Sequence, residues 1–149
     1  DARNADPVLR ESTRLVAAAA NATQATYDVF RWPEFLGEES SRFASEAEAL
    51  AFYGFRSMEE ARSPAGVRIR ADADMLKLVS ADDPAVYLVS QKRQEKMVNR
   101  GAYLHTPLHA MTVKKACEAA GVTAELRIVD GDEGWADAVG FLLGRLGAR

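Results

Sequence analysis

The sequence predicts an α/β fold built on a parallel sheet, and three stretches of its last 66 residues carry the prediction. Pro84-Ala-Val-Tyr-Leu-Val-Ser90 is a short apolar run behind the turn Asp82-Asp83-Pro84, and Ala124-Glu-Leu-Arg-Ile-Val129 sets Leu126 and Ile128 against Glu125 and Arg127. Both patterns are those of strands. Between them, Pro107 to Ala120 places Leu108, Met111, Val113, Ala116, Cys117 and Ala120 at helical spacing. It stops at Gly121, which enters the left-handed conformation without Cβ strain. Two strands joined by a helix of this length imply a parallel crossover.

The remaining elements follow in chain order. Leu15 to Ala20 is the expected first strand, against the helical propensity of its four alanines. From Thr26 to Ala81 the chain changes character. Tyr27, Phe30, Trp32, Phe35, Phe43, Phe52, Tyr53 and Phe55 crowd this stretch, which has no strand-like alternation. Ser45 with Glu48, and Ser57 with Glu60, have the capping-box spacing in which each side chain satisfies the other's free amide. Gly54 ends the first of these helices, Pro64 and Gly66 are read as chain breaks, and Arg70 to Leu78 as one more short helix. Trp135 to Leu146 closes the chain as an amphipathic helix.

Composition bounds the class. The 149 residues have the size of a single domain, 1–149, and 48% hydrophobic with 28% charged residues is a globular balance. A net charge of −3 argues against nucleic acid, which requires a basic surface to replace condensed counterions. No apolar stretch is long enough for a signal or membrane span, so no membrane partner is expected. The single Cys117 cannot form an internal disulfide, and its place on a helix reads as core. The opening Asp1-Ala-Arg-Asn-Ala-Asp-Pro7 lacks Met, from which removal of a preceding segment is expected, by cleavage or by trimming.

In order and spacing, Pro84–Ser90, His105-Thr-Pro-Leu-His109, Lys114-Lys-Ala-Cys-Glu-Ala-Ala-Gly-Val122, the strand to Val129 and Phe141-Leu-Leu-Gly-Arg-Leu146 resemble the C-terminal part of an α/β-hydrolase of the esterase and lipase type. Glu11 to Ala20, followed by Asn21-Ala-Thr-Gln24, is similar to that family's sixth strand and the entry to its cap. The resemblance implies a partial α/β-hydrolase-like parallel sheet flanked by helices, with residues 26–81 as a helical cap insertion. It also implies an activity on small esters, in this chain only together with an upstream segment that carries the serine. No Gly-x-Ser-x-Gly elbow occurs in the sequence, no Asp follows Ser90 at the family's spacing, and Asp130-Gly-Asp-Glu-Gly-Trp135 has no His. Under this resemblance His105 is the candidate base, with Glu95 or Asp130 as the orienting acid. Gln24, Trp32 and Phe35 are the candidate substrate contacts, with Asn21 and Thr23 beside Gln24. Expected partners are the N-terminal half of the same protein, a second copy of the chain, and a small ester. No cofactor is expected. A non-catalytic relative that binds a partner or small molecule in the cap is the alternative.

The residues by themselves leave several roles open. His105 and His109 are one helical turn apart, a spacing that can hold a metal, but no third ligand lies at a matching offset and no metal is assigned. His105 is expected in the loop before the helix, with Thr106 as N-cap and Pro107 at N1, either as a base or substrate contact or as a hydrogen-bonding loop residue. Asp130, Asp132 and Glu133 can hold a cation or serve as partners of a helix dipole. Lys92, Arg93, Lys96 and Arg100 read as a solvated face.

Overall fold

Three strands set the frame: β1 (Ala17–Asn21), β2 (Ala85–Gln91) and β3 (Ala124–Val129) form one parallel sheet in the order β1-β2-β3. The computed structural model describes residues 3–10, 14–130 and 134–147. Ala17 pairs with Ala85 and Asn21 with Val89 on one side of β2, while Val86 pairs with Ala124 and Gln91 with Val129 on the other. The three strands therefore lie parallel and adjacent, as the sequence predicts. The first begins and ends one or two residues later than expected. Its alanines adopt a strand because pairing with β2 and packing under α8 (Gly134–Gly147) outweigh a helical preference of a few tenths of a kcal/mol per residue.

Side chains alternate across the sheet, so β2 has two interiors. Tyr87 and Val89 face α8, where they form a buried cluster with Ala138, flanked by Ala19, Val129 and Phe141. The α8 helix begins in contact with the central strand: a Cβ on Gly134 would overlap Cγ1 of Val89 and lie 3.2 Å from Cγ2. Leu88 and Ser90 point to the other face, across which α7 (Pro107–Ala119) packs on β2 and β3. Cys117 of α7 is buried. Gly121 (φ 79°) closes the helix as predicted, and Val122 N donates to Cys117 O at 2.8 Å in a Schellman-type end.

Between β1 and β2 the chain runs through short helices only: α1 (Pro33–Leu36), α2 (Glu46–Tyr53), α3 (Met58–Arg62), α4 (Pro64–Ala71) and α5 (Met75–Leu78). Two sequence expectations are corrected here. Pro64 does not break the chain but opens α4 at N1, where its missing amide costs nothing, and Ser63 Oγ accepts from Gly66 N at 3.1 Å. Arg70 consequently belongs to α4, leaving only Met75–Leu78 for the next helix. A third concerns His105, which ends a separate short helix, α6 (Arg100–His105), started by Asn99 Oδ1 accepting from Ala102 N at 2.9 Å.

A charged network ties this segment together. Asp74, fully buried, accepts from Thr26 Oγ1 at 2.9 Å and from Arg31 at 2.6 Å, while Asp28 accepts from Arg70 at 2.7 Å. The Arg70 guanidinium also lies over the Phe30 ring, 4.3 Å from its centroid. Burial by itself pushes the Asp74 carboxyl up; the hydrogen bonds of Arg31 and Thr26 and the charge of Arg31 outweigh it and hold the group below its ordinary range. Trp32, Leu36 and Tyr103 form the apolar counterpart, a core shared by α1 and α6.

Candidate functional site

Parallel strands deliver their carboxyl ends to one edge, and the segments leaving that edge are where open α/β sheets bind ligands. At the end of β1, Ala22 has φ 50°, the one positive φ outside glycine among the described residues. Its amide extends the ladder by donating to Val89 O at 2.9 Å, and its carbonyl accepts from Nδ1 of His105 at 3.2 Å. A carbonyl can only accept, so Nδ1 carries the proton in the neutral ring and Nε2 keeps its lone pair.

His109, one turn further on, is held in the opposite tautomer. Ala25 N donates to its Nδ1 at 3.2 Å, and its Nε2 donates to Tyr103 O at 3.1 Å. The rings of Trp32 and Phe35 meet it edge-on, at 4.5 and 5.5 Å between centroids. Burial pushes its pKa down to about 4, so the ring is neutral and both nitrogens are engaged. His109 is thus a clamp joining the exit of β1, α6 and α7. Its helical register with Val113 and Cys117, four and eight residues on, is the sequence signal for a buried position.

The other predicted site residues are dispersed. Nε2 of Gln24 donates to Leu104 O at 3.0 Å, fixing the exit of β1 to α6. The Trp32 indole donates to Thr26 O at 2.9 Å, and Phe35 packs on the Trp32 core. Glu95 is exposed, and Asp130 pairs across 4.0 Å with Lys92 in solvent. Among the described residues, no hydrogen bond or ion pair joins His105 to Glu95 or Asp130. Asp132 and Glu133 lie outside the described residues.

A groove of about 460 Å³ lies between the segment leaving β1 and the segment leaving β2. Phe30, Trp32, Phe52, Met58, Tyr103 and Leu104 give it an aromatic and apolar lining. Arg100 braces one wall, donating to Phe43 O at 2.7 Å and pairing with Glu48. Phe52 is 59% exposed although it lines the groove, an apolar ring with little protein to cover it.

The arrangement is that of a parallel α/β layer protein, a three-stranded sheet flanked by helices. No family model matches the chain, and no curated protein or solved structure matches it significantly. Among the described residues, no helix is long and apolar enough to cross a membrane, and no three His, Cys, Asp or Glu side chains converge in a way that could hold a metal ion.

Proposed function

We propose that this chain is a small-molecule-binding α/β module whose ligand, an apolar or aromatic molecule, occupies the groove between the segments leaving β1 and β2. The observation that carries the reading is the groove itself: aromatic walls, about 460 Å³, and a largely uncovered Phe52. Binding sites for small molecules are concave, mostly apolar and supplied with a few polar groups, and this groove fits that description. Within the α/β-hydrolase resemblance this is the non-catalytic relative, with residues 26–81 as its cap. Titration with phenyl butyrate, followed by intrinsic tryptophan fluorescence, tests the reading. The expected result is saturable binding that Phe52→Ser weakens about tenfold, since an aromatic contact of this size contributes ~1–2 kcal/mol. Binding that does not saturate, or that ignores Phe52, removes the proposal.

A second reading, the C-terminal portion of an esterase, has one observation in its favour: the half-buried His105 keeps Nε2 unprotonated in its neutral form, with Nδ1 pinned by Ala22. In that reading His105 is the base, Glu95 or Asp130 orients it, and an upstream segment supplies the serine and the oxyanion hole. The isolated chain is then expected to bind phenyl butyrate without hydrolysing it. Turnover by the isolated chain that His105→Gln abolishes would instead require a nucleophile in these 149 residues, with Ser90 and Cys117 the first to test.

A further inference from the structure

We propose that the α8 face of the sheet holds a binding site for a small organic amine, its protonated nitrogen set between the Tyr87 hydroxyl and the carboxylates of Glu125 and Asp137. Strand register builds the floor. Tyr87 pairs with Glu125 and Val89 with Arg127, and residues paired across two strands share a face, here the one that Tyr87 and Val89 turn to α8. The helix supplies the opposite wall: Asp137, Gly140 and Phe141 line, together with Tyr87, Glu125 and Arg127, a cleft of about 480 Å³. A Cβ placed on Gly140 would meet no atom within 4 Å, so α8 leaves this space open. Two groups in the cleft lack partners among the described residues. Tyr87 is 4% exposed, yet its hydroxyl makes no hydrogen bond there, and the exposed Glu125 beside it makes no ion pair.

The hydroxyl lies in the field of its neighbours. Burial, and then the charge of Asp137, pushes the phenol above its ordinary range; Arg127 opposes them and Glu125 adds to them. The phenol is therefore protonated at neutral pH, and its oxygen keeps lone pairs for a donor. Charge selects the ligand. Asp137 is already paired with Arg127 at 3.0 Å, which leaves the carboxylate of Glu125 as the uncompensated charge of the lining. A primary ammonium brings one positive charge and three N–H donors, for the Tyr87 oxygen, for Glu125 and for a remaining lone pair of Asp137. An anion would meet Glu125 instead. A bare metal ion would find two carboxylates where it needs more oxygen ligands, and among the described residues no three His, Cys, Asp or Glu side chains converge. The apolar body of the amine rests on Ala136 and on the Tyr87 and Phe141 rings, whose centroids are 5.3 Å apart, while Arg145 sits over the Phe141 ring, 5.3 Å from its centroid. None of the lining residues belongs to the aromatic groove, so the two sites fill independently.

The test is a titration of the full chain with benzylamine, and separately with benzyl alcohol, at neutral pH and constant ionic strength, followed by two-dimensional amide NMR. Expected are saturable shifts at Tyr87, Glu125, Asp137 and Gly140 with the amine, and no saturation with the alcohol, which lacks the charge. Tyr87→Phe keeps the ring and removes the hydroxyl. It should weaken binding about tenfold, the effect of a hydrogen bond to a charged group, and leave the melting temperature unchanged or raised, because the hydroxyl has no protein partner to lose. Glu125→Gln, at an exposed position, should fold as before and weaken binding about two- to fivefold. Equal binding of the alcohol would reduce the site to an apolar cleft, and shifts at Phe52 and Met58 instead would place the amine in the aromatic groove; either result overturns the proposal. So would two variants that both bind the amine as the parent chain does.

Discussion

His109 makes the acid response of this protein legible at a single ring. Its ordinary pKa of 6.5 falls to about 4 on folding, so the native state binds fewer protons than the unfolded chain between these values. Its contribution to stability is complete above pH 6.5, declines as the pH falls towards 4 and is absent below. The difference amounts to about 3 kcal/mol over the window. Asp74 acts next and in the same sense, because its folded pKa is also depressed: its contribution is present above the ordinary 3.8 and lost as the pH falls further. Urea midpoints should therefore drop steadily between pH 7 and 4.5. In His109→Gln the unfolding free energy at pH 7 should be lower by roughly 1–3 kcal/mol, because one of the two backbone bonds is weakened or lost, and that part of the slope should flatten. An unchanged slope would assign the titration to another group. His105, of the same residue type four positions earlier, has one nitrogen engaged among the described residues. The sequence does not separate the two histidines, because what distinguishes them is contact with Ala25 and Tyr103 on one ring and with Ala22 on the other.

At the level of elements, two glycines set how closely neighbours approach. A Cβ on Gly66 would overlap the carbonyl oxygen of Glu60 and lie 2.7 Å from that of Ala61, so α4 meets α3 through backbone. Gly66→Ala should lower stability by more than about 2 kcal/mol, against the ~1 kcal/mol that helix propensity alone would add. No side-chain change can relieve it. At Gly134 the obstacle is the Val89 side chain, so Gly134→Ala should be destabilising and Val89→Ala in the same chain should recover part of the loss. A double-mutant cycle on thermal unfolding checks both; additive effects at Gly134 and Val89 would deny the contact. The strands β2 and β3 and the helix α7 were readable from periodicity and from Gly121, and the cap residues Ser45 and Ser57 accept from Glu48 N and Glu60 N as expected. The return halves of the two capping boxes are not made. Glu48 turns to Arg100 of α6, and Glu60 accepts from Arg56 N, one residue before the cap. Long-range partners win there, and they are invisible to a local pattern. The helix α6 escaped notice for a related reason: it is six residues long, and only Asn99 marks its start. Of the candidate site, the aromatic segment was legible, while Gln24 is engaged by a hydrogen bond to Leu104 O and Phe35 by packing, neither of which spacing announces.

For the whole molecule the sheet poses an unsolved boundary. With the order β1-β2-β3, the outer edges of β1 and β3 have no partner strand among the described residues, and β1 carries neither charge nor proline along Ala17–Ala20. On the outer side of α8, Val139, Leu143 and Leu146 are all more than half exposed, in i, i+4, i+7 register. Edge and stripe together predict concentration-dependent self-association at micromolar chain. Leu143→Lys should weaken it at least tenfold while leaving the fold intact, because Leu143 is 62% exposed. Sedimentation velocity checks the prediction; a single 16.2 kDa species across the range would count against it.

Cys117, the sole cysteine, turns the packing of α7 into a measurable clock. Burial pushes its thiol up, and the side chain lies under the helix that covers β2 and β3. A disulfide reagent in solvent can therefore reach the sulfur only when that layer opens, and with one thiol per chain every labelling event reports the same opening. In the regime where reclosing outpaces reaction, the labelling rate divided by that of the unfolded chain is the equilibrium constant for opening. Each tenfold acceleration then corresponds to about 1.4 kcal/mol lost from the α7 layer. Mixed-disulfide formation would read the strength of this layer without unfolding the protein at all.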